Sequence, residues 1–148
     1  MSTASEAPVP FRILPALTPQ NRHFWQGGEH GELRFLRCQD CGTIIHPPLS
    51  VCPQDHSKRI APAAMSGRAT VASFTVNHQA WMPGPPLPYI VAIIEIEEDP
   101  RVRLTTNLVN CAPEGVRIGM PVRVVFEHHA DPAGDVWLPL FEPDPAPR

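Results

Sequence analysis

The chain has little that would attract a polyanion or insert into a membrane. Its 12 basic residues are set against 15 acidic ones, giving a net charge of −3, and Lys58 is the only lysine. That balance lacks the broad basic surface that nucleic-acid binding requires. No apolar run approaches the roughly 20 residues of a membrane helix, since the longest, Tyr89 to Ile94, has the length of a strand. These absences predict a protein that binds neither nucleic acid nor a bilayer.

The N-terminus also lacks a secretion signal, so the localisation we predict is cytoplasmic. Residues 1–10 hold neither the basic start nor the apolar stretch of a signal peptide. In the cytoplasm cysteines stay reduced, and a paired-cysteine spacing therefore favours a metal site over a disulfide. The 20 prolines and the near absence of lysine are typical of a bacterium with a GC-rich genome.

Motifs for independent catalysis are missing as well. The sequence context supports no Ser-His-Asp or Cys-His arrangement, and no glycine-rich loop of the kind that cradles phosphate is present. A redox Cys-x-x-Cys would need a thioredoxin-type βαβ context, which is absent. A catalytic zinc would need a cleft and a general base, and the stretch from Cys38 to Cys52 contains no His-x-Glu motif to supply one. We therefore predict no catalytic residue in this chain.

What the chain does contain is a series of five strand-like runs over residues 63–142. The alternation in residues 67–77 and the almost wholly apolar run of residues 89–96 predict two strands, the second covered on both sides. In three of the runs, alternate residues are predicted to line one face of a strand: Ala72, Phe74 and Val76; Val102, Leu104, Thr106 and Leu108; and Val122, Val124 and Phe126. The last run covers Val136 to Phe141. Five strands with little helix between them predict a small barrel, with an OB-fold as the leading candidate and an SH3-like barrel as the alternative.

The segments around this barrel are marked by proline and glycine. Residues 1–17 are predicted to be a flexible or extended lead-in, and residues 143–148 a loose tail. A short helix should follow the lead-in, with Thr18 as its cap, Pro19 at its first position and Gly27-Gly28 at its end. Residues 60–64, rich in alanine and proline, read as a linker.

Two short extended segments joined by a Cys-x-x-Cys turn give the most specific motif of the chain, within residues 18–62. A tight turn such as Cys38 to Cys41 lets two thiolates converge on one zinc ion. The second knuckle begins at Cys52, but Asp55 stands where a fourth cysteine is expected, and His56 follows it. Both are legitimate ligands, so Cys3Asp and Cys3His sites remain open, as does a decayed site held by packing alone. If zinc is bound, we predict a structural role.

Six further residues are candidates for binding a partner or a ligand. Trp81 and Met82 lie in a proline-rich loop, where they could anchor a partner or fold back over a barrel end. Arg68 could pair with a phosphate or a partner carboxylate, or be a solvated strand-edge residue. The remaining candidates are His78 in the same loop and the aromatic pair Phe24 and Trp25, which could dock within the chain or against a partner.

The order of these motifs resembles one known family. It is the bacterial and archaeal family that joins an N-terminal rubredoxin-like zinc ribbon to a C-terminal OB-fold, long catalogued as a domain of unknown function. The resemblance covers about Thr18 to Phe141. The motifs that support it are Phe24-Trp25, Cys38-x-x-Cys41-Gly42, Pro47-Pro48, Cys52-Pro53, the run from Ser66 to Val71, and the run from Ile118 to Val122.

The resemblance implies a role beside an enzyme of lipid or sterol metabolism. Similar proteins are non-catalytic accessory subunits that bind or help position acyl-CoA for a thiolase, a thiolase-like or sterol-carrier-type aldolase, or a hydratase. The implied partner is that enzyme subunit, the implied cofactor is structural zinc, and acyl-CoA is a further candidate ligand. The alternative is a single-stranded nucleic-acid-binding OB-fold module, which 7% aromatic residues and the negative charge disfavour. Asp55, which stands where the family pattern has a cysteine, affects the prediction of a bound metal but not the prediction of the fold.

Overall fold

The computed structural model describes residues 8–145, and nearly all of the regular structure in that range is β. Its elements are a short helix α1 (Arg22–Gln26), the strands β1 (Arg34–Cys38), β2 (Ile44–Ile45), β3 (Ile60–Ala64), β4 (Arg68–Asn77), β5 (Tyr89–Ile96), β6 (Arg103–Leu108), β7 (Pro121–His129) and β8 (Val136–Pro143), and two 3-10 turns (Gly27–His30 and Pro113–Gly115). No helix in the described range combines the length and apolar character needed to cross a bilayer.

The strands form two sheets. A small sheet has the order β2-β1-β3, and the last five strands close into a barrel of order β4-β5-β6-β8-β7. Within the barrel β6 and β8 are parallel, while the other neighbours are antiparallel. This five-stranded closed barrel confirms the OB-fold prediction and removes the SH3-like alternative.

The barrel core follows the predicted alternation in β6 but not in β5. Leu104 and Leu108 of β6 are buried, as predicted. The prediction that β5 is covered on both sides was wrong, because its residues alternate: Ile94 is fully buried, whereas Ile93 is 37% exposed. A barrel strand has one face in the core and one outside. The apolar run therefore reflects an outward face that is itself apolar.

A β-bulge in β4 changes the register that the alternation predicted. Pairing with β5 jumps from Val71 opposite Ile94 to Ser73 opposite Ile93, so Ala72 is the extra residue. Val71 is buried before the bulge, and Phe74 packs against the same core after it. Placing Ala72 on the core face was therefore wrong, because a bulge inverts the alternation locally.

The segment predicted to be a linker is the third strand of the ribbon sheet. Residues 60–64 form β3 and pair antiparallel with β1, placing Pro62 opposite Leu36. A proline lacks the N–H of a central strand, but β3 lies at the edge of its sheet, where one side of the backbone needs no partner. The boundary predicted between residues 62 and 63 therefore falls inside a strand.

Helix α1 begins later than predicted and ends where predicted. Thr18 Oγ1 accepts a hydrogen bond from the Asn21 N–H (3.2 Å), and Asn21 Oδ1 accepts one from the Thr18 N–H (2.8 Å). These bonds close a turn before the helix, which starts at Arg22. The helix ends at Gln26, immediately before Gly27, and a 3-10 turn then leads to Gly31, whose φ is +68°.

Gly28 allows this 3-10 turn to press against the barrel. A Cβ at Gly28 would overlap Trp137 and lie 2.6 Å from Cδ1 of Phe126. Gly28→Ala should therefore lower the free energy of unfolding by about 1–3 kcal/mol, as overpacked sites do, measured by urea denaturation. Gly115→Ala is the control, because nothing lies within 4 Å of its added Cβ. Equal losses for the two variants would contradict the packing explanation.

The N-terminal segment of the described range is extended and attached to the barrel. Arg12 Nε donates to Glu127 Oε1 (2.9 Å) and Arg12 Nη1 donates to Asn107 Oδ1 (2.7 Å). Burial alone would raise the pKa of Glu127, but its bonds with Arg12 and His129 outweigh this and lower that pKa. Since Asn107 is on β6 and Glu127 on β7, the Arg12 side chain bridges two strands that have β8 between them.

The predicted lead-in and the predicted tail each lie partly outside the described range. Residues 1–7 and 146–148 are not described. The last strand runs on through Pro143, and the Asp144 N–H donates to the Pro121 carbonyl oxygen (3.0 Å). The part of the tail that is described is therefore bonded to the start of β7.

Candidate metal centre and docking surface

Two turns of the ribbon bring three cysteines and one aspartate together. β1 ends at Cys38, the turn into β2 carries Cys41, and the loop before β3 carries Cys52 and Asp55. One ligand atom from each of these residues lies within 4.8 Å of the others. Cys41 Sγ is 3.6 Å from Cys52 Sγ, and Cys38 Sγ is 3.6 Å from Asp55 Oδ1. The four side chains therefore converge on one point.

The spacing of this cluster fits a tetrahedral zinc ion. Zinc–sulfur bonds of about 2.3 Å in tetrahedral geometry place two sulfurs about 3.8 Å apart, close to the 3.6 Å between Cys41 and Cys52. Three thiolates and a carboxylate are all accepted zinc ligands. Cys38 and Cys52 are buried, while Cys41 and Asp55 are exposed, so the cluster lies at the ribbon surface.

His56 is not among the residues that the fold brings to the cluster. Its side chain is exposed. Its backbone is left-handed, with φ +59°, and its N–H donates to the Cys52 carbonyl oxygen (3.0 Å). This turn points Asp55 toward the cysteines. Of the two ligand sets that the sequence left open, the geometry matches Cys3Asp.

Backbone N–H donors and burial shift the pKa values of these ligands in opposite directions. The Cys41 backbone N–H lowers the pKa of Cys38, and the Ser57 N–H, 3.0 Å from Asp55 Oδ1, lowers the pKa of Asp55. Burial raises the pKa of Cys52. Cys52 is therefore the ligand whose deprotonation depends most on a cation at the centre.

The aromatic pair of α1 docks within the chain. Phe24 is 5% exposed, stacks on Phe35 of β1 (centroids 5.8 Å apart) and meets the His46 ring at 4.9 Å. Trp25 meets Phe24 edge-on at 4.7 Å and packs against the same core. This pair therefore joins the helix to both the ribbon and the barrel core.

A groove of about 450 Å³ lies where the helix, the ribbon and the barrel meet. The sequence did not predict it, because its residues come from five separate segments of the chain. Its walls include Phe24 and Trp25 of α1, Pro47 and Pro48 after β2, and Leu104 and Leu140 of the barrel. We call it the junction groove.

The loop between β4 and β5 exposes its large side chains. Trp81 is 78% exposed, and its Nε1 donates to Asn77 Oδ1 (3.2 Å). Met82 is 55% exposed, and His78 is exposed as well. Exposure to this extent favours the partner-anchor alternative for Trp81 and Met82 over a loop folded back on a barrel end.

Apolar residues of the N-terminal segment extend this exposed surface. Phe11 and Ile13 are exposed, and together with Met82 and Tyr89 they line a depression of about 230 Å³. Nothing in the sequence placed residues 11–13 beside a loop 70 positions away. We call Phe11, Ile13, Met82 and Tyr89, together with Trp81, which precedes Met82 in the loop, the apolar patch.

Arg68 belongs to neither the metal cluster nor the apolar patch. Its guanidinium pairs with Glu97, Nη2 to Oε2 at 2.9 Å, and that hydrogen bond raises the pKa of Arg68. The carboxylate that pairs with Arg68 therefore belongs to this chain and not to a partner protein. Cys111, the one cysteine outside the cluster, is half-buried against the main core.

Family models match both parts of the chain. The model described as "ChsH2, rubredoxin-like zinc ribbon domain" matches residues 25–61, and "ChsH2, C-terminal OB-fold domain" matches residues 63–127. A relative named 3-oxo-4,17-pregnadiene-20-carboxyl-CoA hydratase alpha subunit, from Mycobacterium tuberculosis, is 38% identical over 86% of this chain and 40% of its own length. The chain thus spans about two fifths of that relative.

Two further comparisons cover most of the matched protein. A "DUF35 domain-containing scaffold protein" from Methanocaldococcus jannaschii is 36% identical over 68% of this chain and 71% of its own length. The solved structure titled "Ltp2-ChsH2(DUF35) aldolase" superposes with a TM-score of 0.76 and 35% identity, over 88% of this chain and 98% of the matched one. The chain belongs to the DUF35 family of paired zinc-ribbon and OB-fold domains, in its ChsH2-like form.

Proposed function

We propose that this chain is a non-catalytic accessory subunit that docks on an acyl-CoA-handling enzyme and helps to position its substrate. The partner we propose is a hydratase, a thiolase or a thiolase-like aldolase of lipid or sterol metabolism. The observation on which the proposal rests is the apolar patch, on a chain whose sequence offers no catalytic motif. The names of the relatives, one a CoA hydratase subunit and one an aldolase complex, support the same class of partner.

The apolar patch has the composition of a docking surface. Aromatic and methionine side chains are enriched at protein interfaces, and the residues that dominate binding energy are often tryptophan. Trp81 is 78% exposed, and its one hydrogen bond, to Asn77, lies within its own loop. Single exposed apolar residues are ordinary, but several around one depression mark an interaction site. The partner we propose therefore offers an apolar face of its own.

We further propose that the Cys3Asp cluster holds a structural zinc ion. Cys38 and Cys41 would supply the ligands from the first knuckle, and Cys52 and Asp55 those from the second. The bound ion would cross-link the β1–β2 turn to the loop before β3. All four positions of a tetrahedral ion are then filled by protein, which is the arrangement of structural and not catalytic zinc sites.

Ion pairs on the surface of the ribbon and the barrel weigh against the nucleic-acid alternative. A strand-binding groove needs free cations that track the phosphates. The exposed arginines of the described range that pair with carboxylates of this chain are Arg59 with Asp40, Arg68 with Glu97, Arg101 with Asp99, Arg103 with Glu95, and Arg123 with Glu142. Their charge is therefore already balanced at the surface.

Purification from the native host tests the accessory role. The tagged chain is pulled down, and the same sample is analysed by mass spectrometry for proteins and by elemental analysis for zinc. We expect a hydratase or thiolase-like subunit at near-equal amounts, with about one zinc ion per chain, the content of a single tetrahedral site. Recovery of nucleic acid, or of no stoichiometric enzyme, would contradict the proposal.

A further inference from the structure

The N-terminal segment, residues 8–15, depends on one side chain for its attachment to the barrel. None of its residues is buried, and it forms no strand. Within the described range, its hydrogen bonds to the barrel all come from Arg12. Nε and Nη2 donate to the Glu127 carboxylate at 2.9 and 3.3 Å, and Nη1 donates to Asn107 Oδ1 at 2.7 Å. No ladder of backbone bonds would hold the segment if Arg12 were released.

The acceptors of this arginine are themselves held by the barrel. The ring of His129, which is buried, bonds to Glu127 Oε1 at 2.7 Å. Asn107 Nδ2 donates to the Ile90 carbonyl oxygen at 2.9 Å. The side chains of Arg12 and Glu127 are only 16% and 13% exposed. A two-pronged arginine–carboxylate contact that is largely shielded from water is among the stronger ion pairs, unlike the exposed pairs of a protein surface.

The two neighbours of Arg12 belong to the apolar patch. Phe11 and Ile13 are both well exposed, and they line one depression together with Met82 and Tyr89. Successive side chains of an extended chain point to opposite sides. The bonds of Arg12 to the barrel therefore turn its two apolar neighbours outward, beside the loop between β4 and β5.

The depression has the size and the chemistry to accept an apolar side chain. Its volume of about 230 Å³ is below the range of about 300–1,000 Å³ for small-ligand pockets. Its polar lining residues Arg12 and Asn107 are bonded to each other, and the charge of Arg12 is neutralised by Glu127. A charged group placed here would lose water without gaining a partner.

We propose that Arg12 is a positioning residue of the docking surface, holding Phe11 and Ile13 in place to receive an apolar side chain of the partner enzyme. This inference rests on the proposed function. It divides the docking surface into two parts, the loop that carries Trp81 and the anchored N-terminal segment. Glu127, 115 positions from Arg12, thereby controls a depression that it does not line.

Trypsin cleavage after Arg12 measures the anchor directly, because the protease must take the freed arginine into its own pocket. Glu127→Gln keeps the shape of the side chain but removes its charge. Cleavage of the bond between Arg12 and Ile13 should then become at least about tenfold faster, since proteolysis follows the population of the released state.

Glu142→Gln is the matched control. Glu142 is 18% exposed and also accepts from an arginine and an asparagine, Arg123 and Asn110. Its substitution should leave cleavage after Arg12 within about twofold of the parent rate, as expected of a change at an independent site. Cleavage after Arg103, within β6, reports unfolding of the barrel and should stay slow in both variants.

Biosensor binding to the co-purified enzyme tests the role of the anchor in docking. Glu127→Gln should weaken binding at least about fivefold. In a chain that already carries Phe11→Ala and Ile13→Ala, the same substitution should change affinity by less than about twofold, because the residues that the anchor positions are gone. A merely structural role of Glu127 would weaken binding equally in both backgrounds.

The two proposals fail in distinguishable ways. Unchanged cleavage in Glu127→Gln, or faster cleavage with unchanged enzyme affinity, overturns the role of Arg12, while binding by the parent chain still supports the accessory role. If the parent chain recovers no enzyme, the accessory role is overturned, and the docking role of the anchor with it. Arg12→Gln gives a second release variant should Glu127→Gln fold poorly, with chymotrypsin cleavage after Phe11 as its measure.

Discussion

Cys52→Ser should abolish zinc binding and unfold the ribbon, whereas His56→Ala should keep one zinc ion per chain. The ribbon has a core of its own that is very small, made of Leu36, Cys38, Ile45 and Cys52 with Ile60 beside it. Two of these residues are proposed ligands, so the core loses its packing and its cross-link together. Structural zinc contributes an apparent 10–16 kcal/mol in zinc-finger peptides, roughly the stability of a whole domain.

The contrast between Asp55 and His56 decides the fourth ligand. Asp55→Ala should lower zinc affinity at least about 10- to 100-fold, because it removes a direct ligand. Substitutions that change only the hydrogen-bond partners of metal ligands already lower metal affinity by that factor. Asp55→Cys should restore or exceed the parent affinity, since it completes a site of four thiolates. Competition with a chelating dye measures all three variants. Zinc loss in His56→Ala together with retention in Asp55→Ala would assign the fourth position to His56 instead.

Elements whose pattern is local were predictable from the sequence. The β5 run was bounded correctly at residues 89–96, and the buried face of β6 was identified residue by residue. The Cys-x-x-Cys turn likewise required only neighbours along the chain. In each case the signal is an apolar run, a period-2 alternation or a turn motif, and none of these depends on a distant partner.

Features that depend on long-range partners were not predictable. The composition of residues 60–64 is typical of a linker, and these residues form a strand because they pair with β1. Arg12 holds the N-terminal segment through Glu127, 115 positions away, and no pattern around either residue announces the pair. The bulge at Ala72 adds one residue to β4 relative to β5, and the composition of the strand does not show this shift. The junction groove likewise draws its walls from segments far apart in the sequence, so only the packed structure shows it.

Trp81→Ala should weaken docking on the partner enzyme more than any other single change in the apolar patch. The side chain is 78% exposed and makes one hydrogen bond, to Asn77 in its own loop. Removing it takes nothing from the core, so the free energy of unfolding should stay within about 0.5 kcal/mol. A buried interface tryptophan commonly contributes about 2 kcal/mol or more, which is roughly a 30-fold change in affinity. Biosensor binding to the co-purified enzyme measures it.

Ile118→Ala separates docking from a general loss of exposed apolar surface. Ile118 is 71% exposed in a different loop, before β7, and takes no part in the apolar patch. The Ile118→Ala variant should bind the enzyme with the affinity of the parent chain. The affinity of Met82→Ala should lie between those of Ile118→Ala and Trp81→Ala. If Ile118→Ala weakens binding as much as Trp81→Ala, the enzyme does not recognise the apolar patch. If Trp81→Ala instead lowers stability by as much as it lowers affinity, the tryptophan supports its own loop, and the docking surface must lie elsewhere on the barrel.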